Sequence, residues 1–421
     1  MGKKGEPFFV IEIGSSKISG VLGEIKNRDI IIHSSGFEPT TGILGGVVVS
    51  IDETKTSITR LINSLKIKGV KMPKKASVLI TGSHLHNKPS KGITTIGENN
   101  HKERLISRKH VENALKQAKE IHLPKDEEII SIFPSAYYVN DKPVKKPYNM
   151  MGVRLEVDAF VLTADTTHLG NIEIALLSSN IRAKEYLYQP IMASYGALIN
   201  EDRDTGVILI DIGKDTTDIA VWEEGTLIFT KTLETGGQDI TNDIAQVLHL
   251  RKSDAEKLKL QHGTCDTETV DKKSTIPIEV FDGDKKVVSK KELADIIRAR
   301  VEDIFLEVRD ELRKNHLFYA DRKGNITTDI ISIGVVLTGG TSLLPGIKEV
   351  GKEIFKLPCN IGNLRWKKVP QDMNTPSFAS LWGAVEYKYE QLKNDPIGEL
   401  DREGKFEMFI ENIKDFFKTN I

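Results

Sequence analysis

The stretch LIDIGKDTTDIAVWEEG, residues 209–225, decides the fold, because it has the pattern of a strand, a tight polar turn and a second strand. The stretch VIEIGSSKISGVLGEI, residues 10–25, has the same form. Asp211 and Glu12 occupy equivalent positions, and each is followed by Ile-Gly and a further apolar run. This repetition predicts two related lobes, each of which opens with a β-hairpin whose first strand ends in a carboxylate and a glycine.

Each of the two turns has the composition of a site for nucleotide phosphates. Backbone N–H groups in a tight turn that is rich in glycine and small hydroxyl residues converge on an anion. The nearby carboxylate can hold Mg²⁺ through water. Two such hairpins that face each other would clamp a triphosphate, whereas the chain contains neither the P-loop motif G-x-x-x-x-G-K-[ST] nor the Rossmann motif G-x-G-x-x-G.

A third signal is IGVVLTGGTSLLPGI, residues 333–347, which predicts a buried strand that ends in two glycines before an apolar helix. Because glycine has no Cβ, another backbone or a flat ligand can approach Gly339 and Gly340 closely. A tight strand-to-helix turn would favour the same residues. Both interpretations stay open for this segment taken alone.

The remaining sequence alternates between strand and helix patterns. Residues 8–32 read as a three-stranded meander, and a helix at 55–66 and a strand at 76–81 follow. Helical spacing also fills residues 107–121, 239–262, 290–316 and 378–392, and IPIEVFDGDKKVVS at 276–289 predicts a hairpin. We therefore expect an α/β fold with an inserted subdomain after residue 84.

Composition and charge exclude several classes of protein. The 421 residues carry 59 Lys plus Arg and 60 Asp plus Glu, so no global field attracts nucleic acid. Cys265 and Cys359 lie too far apart for a zinc motif, which fits a reducing cytosol. The apolar run near the N-terminus is too short for the core of a signal peptide. No stretch approaches the ~20 apolar residues that a membrane span needs. We expect the body of the protein to be cytosolic.

Several segments, taken with the two hairpins, resemble a known family. DIGKDTTD at 211–218, the turn at 12–17 and LTGGT at 337–341 resemble the superfamily of actin, heat-shock ATPases and sugar kinases. TGSHLHNKPSKG at 81–92, GGQDITNDIA at 236–245, DAEKLKLQHG at 254–263, ADIIRARVEDIF at 294–305 and SFASLWGAVEY at 377–387 narrow the resemblance. Together they are similar, in collinear order, to FtsA, the bacterial actin-like cell-division family.

The resemblance implies a two-lobed actin-like ATPase fold with two ribonuclease-H-like subdomains. The implied divisions are 1A at residues 1–84, 163–205 and 375–393, the SHS2-like insertion 1C at 85–162, 2A at 206–240 and 326–374, 2B at 241–325, a linker at 394–404 and an amphipathic helix at 405–421.

The resemblance also implies ATP and Mg²⁺ in the cleft between the lobes. The implied nucleotide-binding residues are Gly14, Ser15, Ser16 and Lys17 in the first lobe, Asp211, Gly213, Lys214, Thr216, Thr217, Gly236 and Gly237 in the second, and Glu256, Lys259, Gly339, Gly340 and Thr341 near ribose and adenine. Glu12 and Asp211 would hold the metal through water. The spacing of Glu256 and Lys259 also suits a solvated ion pair.

Two departures from the superfamily bear on catalysis. Glu12 stands where the superfamily usually has Asp, and the extra methylene moves the carboxylate about 1.5 Å toward the metal shell. The actin-like site uses a glutamine on the helix before the second hairpin to position water, and none occurs between Pro190 and Asp211. We therefore expect ATP binding with slow or absent hydrolysis.

His84 and His86 form an H-x-H pair that has the spacing of one strand face. A metal would need a third ligand, which the sequence does not suggest. We expect surface histidines.

The last residues predict a separate amphipathic helix. Its apolar stripe consists of Phe406, Phe409, Ile410, Ile413, Phe416, Phe417 and Ile421. Partial burial of these side chains would contribute on the order of 7 to 10 kcal/mol before the cost of ordering the helix, which suffices for reversible membrane binding. The alternative is that this helix folds back on the body or pairs with another chain.

The leading interpretation is an adaptor that forms filaments on the inner face of the cytoplasmic membrane at the division septum and recruits later divisome proteins. The resemblance implies that the C-terminal peptide of FtsZ binds subdomain 2B. The candidate contacts are Lys290, Lys291, Arg298 and Arg300, of which Arg300 is the best placed by motif. Ordinary helix-surface charge would explain the same four residues. The alternatives are an FtsA-like adaptor of pilus assembly and a phosphotransferase of the sugar-kinase branch.

Overall fold

The computed structural model describes residues 5–96, 103–271, 273–279, 285–320 and 326–394. Nearly all of the predicted linker and the whole predicted helix at 405–421 lie outside the described residues. Within the described ranges, no helix has the length and apolar character that a membrane crossing requires.

The first lobe begins with the predicted meander. Its elements are β1 (Glu6–Ile13), β2 (Lys17–Lys26), β3 (Asp29–Pro39), the short pair β4 (Ile43–Leu44) and β5 (Val47–Val48), α1 (Ile51–Leu65) and β6 (Lys75–Ile80). The apolar residues of β1 and β2 are buried on both faces, and α1 buries Ile58, Leu61 and Leu65 against them. Helical spacing of those three residues explains why this segment forms a helix with one apolar face.

An insertion then forms a separate unit with its own small core. Its elements are β7 (Leu85–Thr95), β8 (Arg104–Leu105), α2 (Arg108–Ala118), β9 (Glu127–Val139), β10 (Lys142–Val144), β11 (Met151–Gly152) and β12 (Arg154–Asp165). The main sheet has the order β10-β9-β12-β7, and α2 packs on it through Ala114 and Ala118. Alternation of buried and half-exposed residues along β12 explains why this sheet covers its core with one face.

The chain returns from the insertion to complete the first lobe. The returning elements are α3 (Thr166–Leu177), β13 (Arg182–Tyr188), α4 (Gln189–Ala197) and α5 (Asn200–Thr205). The finished sheet has the order β13-β6-β1-β2-β3, with β13, β6 and β1 parallel.

The second lobe repeats this plan around the second hairpin. Its elements are β14 (Val207–Ile212), β15 (Thr217–Glu223), β16 (Thr226–Leu233), α6 (Gly237–Val247), α7 (Lys252–His262), β17 (Thr275–Glu279), β18 (Lys285–Ser289), α8 (Lys290–Lys314), β19 (Tyr319–Ala320), β20 (Ile326–Thr327), β21 (Gly334–Thr338), α9 (Ile347–Phe355) and β22 (Cys359–Ile361). The main sheet has the order β16-β15-β14-β21-β22.

The two main sheets confirm the predicted internal repeat. In each, a three-stranded antiparallel meander continues into two strands that are parallel to its first strand. The last helix, α10 (Ala379–Asn394), returns to the first lobe and packs on α4, where it buries Trp382 and Val385 in the core of that lobe. The chain therefore has the two-lobed α/β architecture that the hairpins predict.

The expectation that the histidine pair lies on the surface is wrong for His84. Its side chain is only 3% exposed, neither ring nitrogen has a hydrogen-bond partner, and burial lowers its pKa to about 4. His86 is more exposed and contacts Asp165 at 3.1 Å. Across the ranges that the structure describes, no three His, Cys, Asp or Glu residues are placed to hold a metal ion directly.

Candidate functional site

A cavity of about 660 Å³ lies between the two lobes. This volume is within the range of about 300–1,000 Å³ that is typical of sites for small molecules. Its lining comes from the two hairpins, from the residues that follow β21 and from α6, α7 and the start of α10. The predicted residues that line it are Glu12, Gly14, Ser15, Ser16, Lys17, Asp211, Gly213, Lys214, Thr216, Gly237, Glu256, Lys259, Gly339, Gly340 and Thr341.

The turns of the two hairpins have the same internal hydrogen bond. The Gly14 N–H donates to the Lys17 carbonyl at 3.2 Å, and the Gly213 N–H donates to the Thr216 carbonyl at 2.8 Å. The tip between β4 and β5 joins the turns, because the Gly45 N–H donates to Asp215 at 3.0 Å and the Gly46 N–H donates to the Ser15 hydroxyl at 3.2 Å. The two turns therefore line one cavity from opposite lobes.

The carboxylates that precede the two turns have different surroundings. Both oxygens of Glu12 accept hydrogen bonds, from the Ser19 hydroxyl at 2.6 Å and from the Ser380 hydroxyl. Burial, together with the nearby charges of Asp218 and Glu12, raises the pKa of Asp211 to about 8. Asp218 is itself held by the hydroxyls of Thr81 and Thr232. The charge of Lys17 and the Thr338 hydroxyl act in the opposite direction on Asp211, but its pKa stays above that of Asp218, which is about 6.

Lys17 is the cation of the first turn. Its ammonium group donates to the Ser377 carbonyl at 2.8 Å and lies 4.3 Å from the centre of the Phe378 ring. Burial lowers its pKa, although the charges of Glu12 and Asp211 act in the opposite direction. A phosphate bound in the cavity would lie near the Lys17 ammonium group, which its contact with Ser377 already holds in place.

These carboxylates suit a divalent cation that is held through its water shell. Glu12, Asp211 and Asp218 bring three acidic groups into a buried region in which Lys17 is the nearby cation. A cation would relieve the repulsion that raises the pKa of Asp211. Direct ligation would need a closer group of ligands than the described residues provide. The donor set therefore fits Mg²⁺, which keeps several waters when it binds.

The other end of the cavity combines a fixed cation with apolar side chains. The Lys259 ammonium group donates to the Gly237 carbonyl and the Thr241 hydroxyl, both at 2.8 Å, and pairs with Glu256 at 2.7 Å. Leu260 and Leu343 line the cavity although they are 74% and 52% exposed. Polar anchors beside exposed apolar side chains are suited to a ribose with a flat base.

The sequence left open whether Gly339 and Gly340 form a tight turn or allow a ligand to approach, and the structure shows their surroundings. Gly339 has a φ of +85°, and a Cβ at that position would collide with the Asp211 carboxylate. The Thr341 hydroxyl donates to the Gly213 carbonyl at 2.9 Å. The segment is therefore both a tight turn and a wall of the cavity, fixed against the second hairpin.

Two of the predicted nucleotide-binding residues do not reach the cavity. The Thr217 side chain is buried and donates to the Thr235 carbonyl at 2.8 Å. Gly236 packs against the backbone of Lys214, where a Cβ would approach the Lys214 carbonyl at 2.7 Å. Both residues support the second turn from behind rather than line the site.

The structure corrects the expectation that this site lacks a glutamine. Gln189 begins α4, is 7% exposed and lines the cavity, and its Nε2 has no hydrogen-bond partner. Gln189 immediately precedes the segment from Pro190 to Asp211, which contains no glutamine. Proline favours the first turn of a helix, so Pro190 itself indicates that a helix begins within about one residue of it. A glutamine is therefore present in the cavity lining, and slow or absent hydrolysis does not follow from the sequence of α4.

Other lining residues were not among the predicted contacts, although most of them lie inside the segments quoted above. They are Gly46, Thr81, Asp215, Gln238, Leu260, Gly263, Leu343, Leu344, Pro345, Ser377 and Ser380. Asp215 and Gln238 adjoin recognised motifs, so their neighbours could have indicated them.

The four basic residues proposed for a partner peptide do not share one face. All lie on α8, where Arg300 turns toward α6 and pairs with Asp243 at 2.5 Å. Arg298 pairs with Glu302 and reaches Glu353 of α9 at 2.5 Å. Lys291 pairs with Asp295, one turn further along the same helix, while the Lys290 side chain is exposed. Arg298 and Arg300 therefore point to different neighbouring helices, and the four residues stay separate candidates for a partner peptide.

Comparisons with known proteins agree with this architecture. The family model described as Cell division protein FtsA matches residues 208–383, and the model of the SHS2 domain inserted in FTSA matches residues 82–163. Cell division protein FtsA of Neisseria meningitidis serogroup B is 30% identical over 89% of this chain and 88% of its own length. Cell division protein FtsA of Borreliella burgdorferi is 30% identical over 91% of each chain.

Solved structures share the fold at lower identity. A structure of the PilM-PilN type IV pilus biogenesis complex has a TM-score of 0.64 and 16% identity, and covers 91% of this chain and 98% of that one. MreB 5 of Spiroplasma citri, bound to AMPPNP, has a TM-score of 0.51 and 15% identity, and covers 93% and 98% of the two chains. The fold is that of the actin-like ATPases. The two FtsA proteins of Neisseria meningitidis and Borreliella burgdorferi are 30% identical to this chain over most of both lengths. The chain therefore belongs to the FtsA family of cell division proteins.

Proposed function

We propose that the chain is an ATP-binding division protein that tethers FtsZ filaments to the cytoplasmic membrane at the septum. The observation that carries the proposal is the cleft in which two related turns, from two related lobes, line one cavity. Membership in the FtsA family supports the division role over the pilus-adaptor and sugar-kinase alternatives.

ATP would lie along the cavity with its phosphates between the two turns. Backbone N–H groups of the turns and the ammonium groups of Lys17 and Lys214 are suitable donors for phosphate oxygens. Ribose and adenine would occupy the end that contains Lys259, Leu260 and Leu343. A protein that shares the fold, MreB 5 of Spiroplasma citri, is described as bound to the nucleotide AMPPNP.

Asp211 and Glu12 would hold Mg²⁺ through water. The metal supplies positive charge that stabilises phosphate oxygens. Asp211 would give up its proton as the cation binds, because positive charge favours the ionised carboxylate. Glu12 would keep its hydrogen bonds to Ser19 and Ser380, which fix its orientation beside the cavity.

Gln189 is suited to orient the water that attacks the terminal phosphate. Its amide combines a donor and an acceptor on one short side chain. Its Nε2 has no partner within the chain, although the side chain lines the cavity. Positioning of water supplies most of the protein's contribution to phosphoryl transfer, so this side chain favours turnover rather than binding alone.

The tether would be the predicted amphipathic helix at 405–421. It follows α10, which the structure describes to Asn394, and the helix itself lies outside the described residues. Because the helix has seven large apolar residues, membrane binding would depend mainly on their burial and less on charge. Several copies in a filament would bind more firmly than one.

The FtsZ peptide would bind beside α8 in subdomain 2B. Two exposed apolar residues, Val247 at the end of α6 and Val287 of β18, flank this region, and Lys286 links the two elements through the Leu248 carbonyl. Arg300 remains the best candidate for an acidic group of the peptide, which would compete with Asp243 for the guanidinium group. Arg298 is already occupied on the opposite side, toward Glu353.

Liposome co-sedimentation with ATP and Mg²⁺ tests the tether. The full chain is compared with a chain that ends at Asn394, and circular dichroism checks that the shorter chain is folded. We expect vesicle binding, and FtsZ that sediments with the vesicles, only for the full chain. A full chain that stays in the supernatant would contradict the proposal, because the apolar stripe would then cover protein instead of lipid.

A further inference from the structure

A lysine-rich loop joins α1 to β6. Residues 66–75 read KIKGVKMPKK, with five lysines and no carboxylate. All five lysine side chains are exposed, and Ile67 between the first two is 42% exposed. Apart from the hydrogen bond of Lys66 to Asn63 at 2.8 Å, none of these ammonium groups has a partner among the described residues. The loop is therefore a concentration of uncompensated positive charge in a chain whose formal net charge is −1.

Strand directions place this loop at one edge of the first lobe. Because β13, β6 and β1 are parallel, their first residues share an edge, and Arg182 pairs directly with Lys75 there. The turn after β2 lies at the same edge and adds Lys26. Lys26 and Arg182 have acidic neighbours, since Lys26 lies opposite Asp29 across the turn after β2 and Glu173 accepts the Ala183 N–H beside Arg182. The loop itself has no carboxylate, and we define the basic edge as residues 66–75.

The last described helix ends at the same edge. Near its start, the Ser380 hydroxyl donates to Glu12 at the end of β1. Further along α10, the Lys388 ammonium group lies 5.8 Å from the centre of the Phe8 ring, near the beginning of β1. The helix thus runs from the cavity toward this edge of the sheet, where the charge of Asp29 acts on Lys393 in its last turn. The described chain ends there, at Asn394, and residues 395–421 follow in sequence.

We propose that the basic edge is a contact surface for anionic phospholipid headgroups, next to the point where the tail leaves the lobe. The inference rests on the proposed membrane tether and adds to it a second attachment. The predicted tail helix has three lysines, Lys405, Lys414 and Lys418, against three acids, Glu407, Glu411 and Asp415. The tail thus has no net charge, so attraction to an anionic surface must come from elsewhere in the chain.

Charge and apolar insertion would act together at this surface. A single insertion signal gives marginal binding, whereas an apolar anchor combined with a polybasic patch gives stable attachment. Each lysine close to an anionic surface adds attraction that falls off within a Debye length. The ten residues between Asn394 and Lys405 allow the tail and the basic edge to reach one bilayer at the same time.

The test uses the full chain and vesicles of phosphatidylcholine, alone or mixed with phosphatidylglycerol. One variant carries Lys68→Gln, Lys71→Gln, Lys74→Gln and Lys75→Gln. A matched control carries Lys109→Gln, Lys116→Gln, Lys125→Gln and Lys142→Gln, which changes the net charge equally at exposed lysines of the insertion. We expect the loop variant to bind the anionic vesicles about tenfold more weakly at low salt, and the control to bind like the unchanged chain.

Phosphatidylcholine vesicles and the truncated chain separate the two attachments. All full-length chains should bind phosphatidylcholine equally, because only the tail acts there. Equal binding of the loop variant and the control to anionic vesicles would overturn the basic edge, even if truncation at Asn394 abolishes binding. If the truncated chain instead keeps its binding and loses it with the loop substitutions, the basic edge stands and the tail tether fails.

Discussion

The two phosphate hairpins have the same backbone plan and different electrostatics. Each turn closes with the same glycine hydrogen bond, and each belongs to a sheet of the same strand order. In the first lobe, hydroxyl groups occupy both oxygens of Glu12. In the second, burial and neighbouring acids raise the pKa of Asp211 to about 8. A repeated fold can thus place two carboxylates symmetrically and still give them separate tasks.

The largest expected difference concerns metal-dependent binding of ATP. Asp211→Asn removes the carboxylate that gains most from a cation, and we expect affinity for ATP with Mg²⁺ to fall about 100-fold, or about 2.7 kcal/mol. Glu12→Gln keeps groups that can bond Ser19 and Ser380, and should cost about tenfold or less. Isothermal titration with Mg²⁺ and with EDTA measures both. Equal losses in the two variants would show that the hairpins are electrostatically equivalent.

Gln189 lies outside both hairpins, so its substitution should affect ATP turnover more than ATP binding. Gln189→Ala removes the amide suited to position water, and we expect phosphate release to slow by about tenfold to 100-fold. Affinity for ATP should change by less than about threefold, because the turns and carboxylates that bind phosphate are intact. Phosphate release and titration are measured on the same preparation. Unchanged turnover in Gln189→Ala would contradict a role in positioning water and would leave Gln189 with a structural role alone.

The raised pKa of Asp211 predicts a pH dependence of the nucleotide-free protein. The folded protein keeps a proton that the unfolded chain loses above its ordinary pKa, so the free energy of unfolding should fall as the pH rises from about 6 to about 8. One proton accounts for at most about 1.4 kcal/mol per pH unit. Asp211→Asn should flatten this slope, whereas Glu12→Gln should keep a slope whose upper end moves to lower pH, because the Glu12 charge contributes to the raised pKa of Asp211. Urea unfolding across this range provides the measurement, and parallel slopes for all three proteins would contradict the assignment to Asp211.

The smallest expected effect concerns the contact that joins the turns. Asp215→Ala removes the acceptor of the Gly45 N–H and should lower the free energy of unfolding by about 1 kcal/mol. Amide exchange should become faster at Gly45. Lys214→Ala is the matched control, because Lys214 is the exposed neighbour in the same turn. If both variants exchange alike at Gly45, the contact does not hold the lobes together.

Local patterns in the sequence predicted the hairpins, the repeat and the glycines after β21, because strand-turn-strand units carry their glycines and carboxylates in fixed order. The resemblance to a known family, rather than a local pattern, supplied the lining residues Gly237, Glu256 and Lys259 of α6 and α7. Thr81, Ser377 and Ser380 escaped prediction because only the packing of distant segments brings them to the hairpins. Residues two apart on a helix lie about 200° apart around its axis, so Arg298 and Arg300 were separable from the sequence. His84 lies just before β7, where the chain leaves the first lobe, and its burial depends on packing against His168.

Mg²⁺-dependent binding of ATP in the cleft of the unchanged chain is the central prediction for this protein. Titration of a fluorescent ATP analogue, with Mg²⁺ and then with excess EDTA, measures this. We expect saturable binding at one site per chain, lost with EDTA and competed by unlabelled ATP. Absence of binding, or binding that EDTA leaves unchanged, would contradict the assignment of the two hairpins and Asp211 to a nucleotide with its metal.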